Sequence, residues 1–379
     1  MVAFTPEQSA FAQAVSDFCK REAGTRAQRD AWTDDGREPH SQELYRKMAA
    51  FGWAGINVAE EYGGAGAGNV ELCIFLEEAM RGQAPIGGIG PTLITAAAYE
   101  KFAPEEMKRA VLAGVVAGDA LSISMSEPEA GSDVGALTCR ADKVDGGWLI
   151  NGQKTWCSCA HYASSILLIA RTDRSGAKHE GLTQFHIPAG IEGLRVNPID
   201  TLGGSEVNDL YFTDCFVPDE NVVGRVGDGW TQLMAGLNTE RLILAAMQLG
   251  VAERSFGDTL KFIRERKQFG RPVGTFQALR HWMADHATEI AATKELIYSL
   301  AKVSDENPGQ MMPREASMVK LKATEVSKAM TIDGMQMMGG YGYAKEFDAE
   351  RLMRGAIIST VFGGTNEIQR DIIGKTYGL

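Results

Sequence analysis

The sequence lacks the features that place a protein in a membrane or on nucleic acid. No apolar run approaches the roughly 20 residues that a membrane-spanning helix requires. The first residues, MVAFTPEQSAFAQAVSDF, have neither the basic start nor the apolar stretch of a secretory signal. Basic residues are in deficit, since 38 Lys and Arg oppose 49 Asp and Glu and the formal net charge is −11. We therefore expect no membrane insertion and no nucleic-acid partner.

Cysteine is also sparse, with six residues in a chain of 379. Their spacing shows neither the pairs typical of zinc sites nor a dense disulfide pattern. Cys157 and Cys159 form a lone CxC, which is a weak metal signal. We expect reduced, mostly buried thiols, no metal and a cytoplasmic protein.

The chain has the composition of a globular protein, and it changes character twice along its length. Hydrophobic residues make up 44% and charged residues 23% of the chain, which is typical of a soluble fold with a sizeable core. The length allows two or three domains. We predict an N-terminal helical domain over 1–120, a middle β-domain over 121–225 and a C-terminal helical bundle over 226–379.

The two helical segments contain start signals and apolar stripes. Residues 5–7, TPE, combine an N-cap, a proline at the first helical position and an acidic first turn. Further helices are predicted over 42–51, ending at Gly52, and over 70–80. Over 316–337, apolar residues recur at helical spacing before a Gly-Gly pair, which predicts one long helix. We interpret the methionine-rich stripe of this helix as core packing.

Between the helical segments the hydrophobic period shifts toward two. The stretches WLING, SILLIAR, TQFHIP and DLYFTDCFVP have the composition of strands, and turn clusters such as DGG, DRSG and PAGIEG separate them. This pattern predicts a β-domain of sandwich or barrel type.

Three stretches contain residues suited to a flat ligand that bears phosphates. SISMSEPEAGSDVGA (122–136) offers small hydroxyls and exposed N–H groups, and NGQKTWCSCA (151–160) sets a tryptophan beside a serine, which could stack on a ring and bond its edge. RERKQFGRP (264–272) crowds basic residues that could grip a pyrophosphate. Taken singly, each has a simpler interpretation: an ordinary Ser/Gly loop, a core tryptophan and a solvated basic helix end.

These stretches, the order of the segments and the C-terminal motif together resemble one family, the acyl-CoA dehydrogenases. AEEYGG, SEPEAGSD, NGQKTW, FVPDENVVG, RKQFG, QMMGGYGY and GTNEIQR stand in the family's order across nearly the whole chain. The resemblance implies an N-terminal all-α domain, a middle β-domain and a C-terminal four-helix bundle. It also implies FAD as cofactor, an acyl-CoA substrate, an electron-transfer flavoprotein as acceptor, and a homotetramer.

The resemblance further implies roles for individual residues. On the cofactor side these are Ile123, Met125, Ser126, Ser132, Trp156, Ser158, Thr365 and Glu367, with Arg266, Phe269, Gln277, Gln336 and Gly340 reaching the FAD of an adjacent subunit. On the substrate side they are Ser132, Arg241, Phe362 and Gly364. Ser126 and Ser158 stand where many members have threonine, a difference that keeps the hydroxyl.

One departure from the family pattern concerns the catalytic base. Many members have a glutamate at the position of Gly363, whereas Glu240 resembles the base of the isovaleryl-CoA and long-chain acyl-CoA dehydrogenases, in which that position is glycine or alanine. A side chain at 363 would fill the space that Glu240 needs, so the two features are complementary. The simpler interpretation of Glu240 is a first-turn helix glutamate or a surface partner for a lysine.

The resemblance therefore predicts that Glu240 removes an α-proton while the β-hydride passes to the flavin, giving a trans-2-enoyl-CoA. The backbone N–H of Gly363 is expected to bond the thioester oxygen. Two alternatives stay open: a flavin oxidase or monooxygenase of the same fold, marked by rapid reoxidation in air, and a non-catalytic subunit of a hetero-oligomer. The length and branching of the acyl chain also stay open.

Overall fold

The computed structural model describes residues 2–379, with Leu237 described by its backbone. The helices are α1 (Pro6–Ala23), α2 (Arg26–Trp32), α3 (Gln42–Ala49), α4 (Asn69–Arg81), α5 (Ile89–Phe102), α6 (Glu105–Val116), α7 (Gly229–Glu265), α8 (Gln277–Glu306), α9 (Pro313–Met338), α10 (Gly340–Tyr343), α11 (Ala349–Ser359) and α12 (Asn366–Lys375). The strands are β1 (Leu121–Ser124), β2 (Arg140–Val144), β3 (Gly147–Ser158), β4 (Ser165–Arg171), β5 (Leu182–Pro188), β6 (Leu194–Thr201), β7 (Gly204–Pro218), β8 (Val222–Val223), β9 (Lys267–Gln268) and β10 (Arg271–Pro272).

The described residues therefore run from helices through a sheet to helices again, and the predicted fold class is confirmed. Strands β1–β8 form one mixed sheet in the order β6-β7-β3-β2-β4-β5-β8, with β1 paired in parallel to β4. In the described part of the chain, no helix combines the length and the apolar character needed to cross a bilayer. All six cysteines are free and buried, as predicted.

The chain folds into two compact units. The first comprises the chain up to Ala31, Gly68–Ala84 and Asn238–Leu379. In it α4 packs on α1 and α8, and α9 packs on α8, α11 and α12. The apolar stripe predicted over 316–337 is buried on α9, which confirms its interpretation as core.

The second unit comprises Trp32–Ala67 and Pro85–Leu237, and it contains the eight-stranded sheet. One face of the sheet packs a core that includes Ile150, Leu168, Phe185 and Leu210. A second core joins α5 and α6 to β1 and β4, with Tyr99 among its fully buried members.

The local start signals act as the sequence predicts. Thr5 caps α1 by accepting a hydrogen bond from the Gln8 N–H, and the Gln8 side chain accepts one from the Thr5 N–H, forming a complete capping box. The prediction for 42–51 runs two residues too far, because α3 ends at Ala49 and the chain turns through Gly52, whose φ is +79°. Gly52 therefore ends the turn that follows α3, and the helix itself ends three residues earlier, at Ala49.

Candidate active site

In the second unit, the structure brings two of the predicted cofactor stretches side by side. The Thr155 N–H donates to the Ser126 carbonyl at 3.0 Å, and the Ser122 hydroxyl donates to the Ser158 carbonyl. The Cys157 thiol lies 3.4 Å from the Ile123 carbonyl. Ile123, Ser126 and Ser158 are partly exposed along this seam, so the stretches at 122–126 and 154–158 form one platform.

A buried ion pair lies under this platform. Lys154 on β3 is fully buried, and its ammonium donates to the Met125 carbonyl at 2.8 Å and to Glu127 Oε1 at 2.9 Å. Glu127 also accepts from the backbone N–H groups of Thr138 and Cys139 at 2.7 and 2.8 Å. Burial alone would raise the pKa of Glu127, but Lys154 and these donors lower it below its ordinary value. The pair fixes the backbone that carries Met125.

Trp156 projects from the platform under backbone strain. The β3–β7 register shifts between Lys154 and Cys157, and within this bulge Trp156 adopts a φ of +58°. Such a φ is costly for a bulky residue and is usually kept where function requires it. The indole is 60% exposed, so the bulge turns it outward beside Ser158. Ser132 lies in the exposed loop that follows the platform.

In the first unit, the structure brings the predicted base next to Gly363. Glu240 on α7 is 9% exposed, and no group of the described residues donates a hydrogen bond to its carboxylate. Burial raises the pKa of Glu240, while the charges of Arg241 and Lys320 act in the opposite direction. Glu240 is therefore not a surface partner for a lysine, and it is not a first-turn glutamate either, because α7 begins at Gly229 and not near Glu240.

Gly363 leaves open the space beside this carboxylate. A Cβ built at position 363 would lie 2.3 Å from Leu244 Cδ1 and 3.5 Å from Glu240 Oε1. The φ of Gly363 is +62° and that of Gly364 is +79°, both in the left-handed region that favours glycine. The left-handed φ therefore favours glycine at 363, and a side chain there would have to displace Leu244.

In the turn between α11 and α12, the carbonyl groups of Gly363 and Gly364 are hydrogen-bonded and the N–H groups of the same two residues are free. Gln369 Nε2 donates to the Gly363 and Gly364 carbonyls at 3.1 and 3.0 Å, and Lys320 Nζ donates to the Gly364 carbonyl at 2.9 Å. Among the described residues, the N–H groups of Gly363, Gly364 and Thr365 have no backbone acceptor. The turn therefore offers successive free donors to an oxyanion or phosphate.

Thr365 and the predicted substrate residues flank this turn. Thr365 is the N-cap of α12 and accepts from the Ile368 N–H at 3.2 Å, and Glu367 is exposed in the first turn. Arg241 follows Glu240 and is buried, with its Nε among the buried polar atoms that lack a partner. Phe362 and Gly364 are exposed. A buried base and a buried, partly unsatisfied guanidinium are groups that a ligand could satisfy.

The remaining predicted cofactor residues form a separate cluster in the same unit. RERKQFGRP is not simply a basic helix end, because it contains the β9–β10 hairpin. The turn residues of this hairpin, Phe269 and Gly270, have φ of +50° and +78°. The Phe269 ring is 93% exposed and lies 6.0 Å from the Phe276 ring, just before Gln277 at the start of α8. The Arg266 guanidinium lies 5.3 Å from the Tyr341 ring, beside Gly340.

This cluster is distant from Glu240 along the bundle. Gln336 is exposed near the end of α9, sixteen residues beyond Lys320, which is about 24 Å at the rise of an α-helix. The structure therefore gathers the predicted site residues of the first unit into two groups, one around Glu240 and one around the β9–β10 hairpin.

Sequence reasoning missed two buried lysines, Lys320 and Lys154. Lys320 follows Ala316 by four residues and Val319 by one, so it falls within the buried stripe of α9. A lysine at that spacing is a signal of a buried cation that could have been noticed. Lys154 lies in a strand with no clear alternation at that point, and nothing in its neighbours indicates a buried partner.

Comparison with known proteins identifies the class to which these features belong. The acyl-CoA dehydrogenase N-terminal, middle and C-terminal domain models match residues 5–119, 122–215 and 227–378. The chain is 36% identical to mitochondrial isovaleryl-CoA dehydrogenase of Arabidopsis thaliana, covering 98% of this chain and 91% of that protein. It is 34% identical to an acyl-CoA dehydrogenase of Bacillus subtilis, covering 98% of each. The acyl-CoA dehydrogenase structure from Geobacillus kaustophilus matches with a TM-score of 0.92 at 29% identity, over 99% of both chains.

The fold and the matches define an FAD-dependent flavoprotein oxidoreductase that acts on CH–CH bonds. The chain belongs to the acyl-CoA dehydrogenase family. The residues present fit FAD, because two of the predicted cofactor contacts, Trp156 and Phe269, are exposed aromatic residues held at positive φ. Both present a flat apolar surface at the cost of local strain.

Proposed function

We propose that the protein catalyses α,β-dehydrogenation of an acyl-CoA thioester to a trans-2-enoyl-CoA, with Glu240 as the base. The observation that carries this proposal is the buried Glu240 carboxylate beside Gly363, where a Cβ would come 3.5 Å from its Oε1. A base must come within hydrogen-bond reach of the proton that it removes, and a side chain at 363 would crowd the approach to Glu240.

Glu240 receives the α-proton at a carboxylate whose pKa is raised by burial. A raised pKa makes the carboxylate a stronger base, because the protonated product of the transfer is the form that burial favours. Arg241 and Lys320 keep part of the population ionised by their positive charges. When bound, FAD supplies the acceptor for the β-hydride.

The free N–H of Gly363 provides an oxyanion donor for the thioester oxygen. Negative charge develops on that oxygen as the α-proton leaves, and one preorganised donor of this kind is typically worth about 3 kcal/mol. The N–H belongs to the backbone, so it remains although the family's usual glutamate side chain is absent.

The same proposal assigns the cofactor contacts. Ile123, Met125, Ser126, Ser132, Trp156 and Ser158 would hold the flavin end, and Thr365 and Glu367 the pyrophosphate and ribose. The group of Arg266, Phe269, Gln277, Gln336 and Gly340 would contact the FAD of an adjacent subunit in a homotetramer. Gln336 lies about 24 Å from Lys320 along α9, which supports the assignment of this group to a different FAD from the one beside Glu240. An electron-transfer flavoprotein would be the acceptor.

Steady-state turnover tests the base directly. Glu240→Gln keeps the size of the side chain but removes its proton affinity, so we expect turnover to fall at least about 100-fold, the lower range for loss of a general base. FAD content should stay unchanged. Glu265→Gln is the matched control, because Glu265 is exposed at the end of the same helix. A Glu240→Gln enzyme with full turnover contradicts the proposed base.

A further inference from the structure

Lys320 occupies an unusual position for a lysine. It is fully buried on α9, and its ammonium donates to the Gly364 carbonyl at 2.9 Å and to Asn366 Oδ1 at 3.1 Å. Thr324, one turn further along α9, donates to the same Asn366 oxygen at 3.0 Å. Two side chains of α9 therefore bind the start of α12 and the turn that precedes it by hydrogen bonds.

The charge on Lys320 has no carboxylate partner within ion-pair distance among the described residues. Burial lowers its pKa to about 8, and the charges that face it are Glu240 and Glu367, which raise the pKa, and Arg241, which lowers it further. A buried ammonium without a paired carboxylate costs stability. An uncharged residue would pack in this stripe without that cost, so the buried charge needs an explanation in terms of function.

The hydrogen bonds indicate what that role is. Lys320 and Gln369 together bond the carbonyls of Gly363 and Gly364 toward the interior of the bundle. Both glycines adopt left-handed φ, a conformation with no side chain to stabilise it locally. The orientation of the free N–H groups of this turn therefore depends on the donors that bond its carbonyl side.

We propose that Lys320 is a positioning residue of the dehydrogenation: its buried ammonium fixes the Gly363–Asn366 turn so that the Gly363 N–H is held ready for the thioester oxygen. The inference rests on the proposed function. Lys320 then stabilises the substrate enolate through the Gly363 N–H and does not itself contact the substrate.

The test uses holoenzyme and a 3-thiaacyl-CoA, which can lose its α-proton but has no β-hydride to give. Ionisation of this ligand beside oxidised flavin is read as a long-wavelength absorption band, titrated against pH. In Lys320→Met we expect the apparent pKa of the bound ligand to rise by about one unit or more, a tenfold loss of acidification. Lys328→Met, on the same helix, is the control and should leave that pKa unchanged.

Lys320→Gln provides a second variant in case Lys320→Met does not retain FAD: its side chain is polar, but it is one bond shorter and lacks the ammonium that the proposal requires. An unchanged apparent pKa in whichever variant retains FAD overturns the proposal. If neither retains it, hydrogen exchange of the Asn366 amide, which donates to the Thr360 carbonyl across this turn, decides in the apoproteins: faster exchange than wild type supports the proposal, and equal exchange overturns it. A wild-type protein that shows no band contradicts the proposed function instead, and the exchange result then judges the role of Lys320 by itself.

Discussion

At the scale of single residues, Gly363 is the close neighbour of the proposed base, and its missing side chain leaves space between the turn and α7. The sequence predicts that glycine leaves room for Glu240, and a Cβ at this position would lie 3.5 Å from Glu240 Oε1, in van der Waals contact with it. The closer neighbour is Leu244, at 2.3 Å from the same Cβ, and no pattern in the sequence indicated it. Contacts between residues 119 positions apart depend on helix packing, which the hydrophobic period alone does not specify.

Gly363→Ala should therefore disturb the site in two ways. The left-handed φ costs an alanine about 1–2 kcal/mol, and the added methyl must displace Leu244. We expect lower stability and at least about a tenfold loss of turnover, because the shift moves the oxyanion donor. Gly374→Ala, in open space within α12, is the control and should stabilise by roughly 0.5 kcal/mol. Equal effects of the two substitutions on turnover would argue against the role of Gly363.

Lys154 shows why a buried charge escapes a sequence analysis. Its partner Glu127 lies 27 residues earlier in the chain, directly after the stretch at 122–126. The pair becomes evident only when β3 is placed beside that stretch. The surrounding motifs were identified from the sequence, but the interaction that holds their backbones in place was not.

Lys154→Met leaves Glu127 buried without its cation. Breaking a buried pair in this way typically costs about 3–5 kcal/mol, and here it also frees the Met125 carbonyl. We expect a lower unfolding temperature and weaker FAD retention, measured by thermal denaturation and by flavin content after dialysis. Lys143→Met, which breaks the exposed pair with Asp219, should cost less than about 1 kcal/mol. Comparable losses in the two variants would contradict this account of the platform.

At the scale of elements, the start of α1 and the long strands were predictable, whereas the start of α7 and the short elements were not. The Thr5 N-cap of α1 and the Gly-Gly end of α9 are local signals, so both were predicted correctly, whereas the part of Gln8 in the capping box was not foreseen. The β9–β10 hairpin was missed, because its turn places Phe269 at positive φ, where propensity favours asparagine or glycine. Tertiary or ligand contacts override local preference at such positions.

The helices α4, α7 and α8 share a buried charge cluster that predicts a pH dependence. Burial, together with the nearby charge of Glu77, raises the pKa of Glu253 to about 7, although Lys294 donates to it at 3.2 Å. The folded state thus binds a proton more tightly than the unfolded state, whose carboxyl titrates near 4.5. Stability from this group is present below about pH 4.5 and declines as the pH rises toward 7.

Glu253→Gln mimics the protonated carboxyl and should remove that decline. We expect wild type and variant to have similar free energies of unfolding at pH 5. At pH 8 the variant should be more stable by about 1–2 kcal/mol. Glu289→Gln, which removes the carboxylate of the Lys322–Glu289 surface pair, should show no such divergence. A variant that is less stable than wild type at pH 8 would mean that the charged form of Glu253 is favourable.

At the scale of the whole molecule, the order of helices, sheet and helices was the most informative feature of the sequence. That order and the seven motifs together identified the family, which the matches to all three domain models confirm. The sequence could not divide the chain into its compact units, because the first unit gathers three separate stretches. Segments that are distant along the chain join through packing, which composition along the chain does not reveal.

An anaerobic titration shows whether Glu240 acts as the base of a flavin-dependent dehydrogenation. Straight and branched acyl-CoAs are added to wild type and to Glu240→Gln while the visible spectrum of the flavin is followed. We expect at least one acyl-CoA to bleach the flavin of wild type and none to bleach the flavin of the variant, although the variant retains FAD. Equal bleaching of both proteins would contradict the assignment of Glu240, and a wild-type flavin that no acyl-CoA bleaches would contradict the proposed reaction.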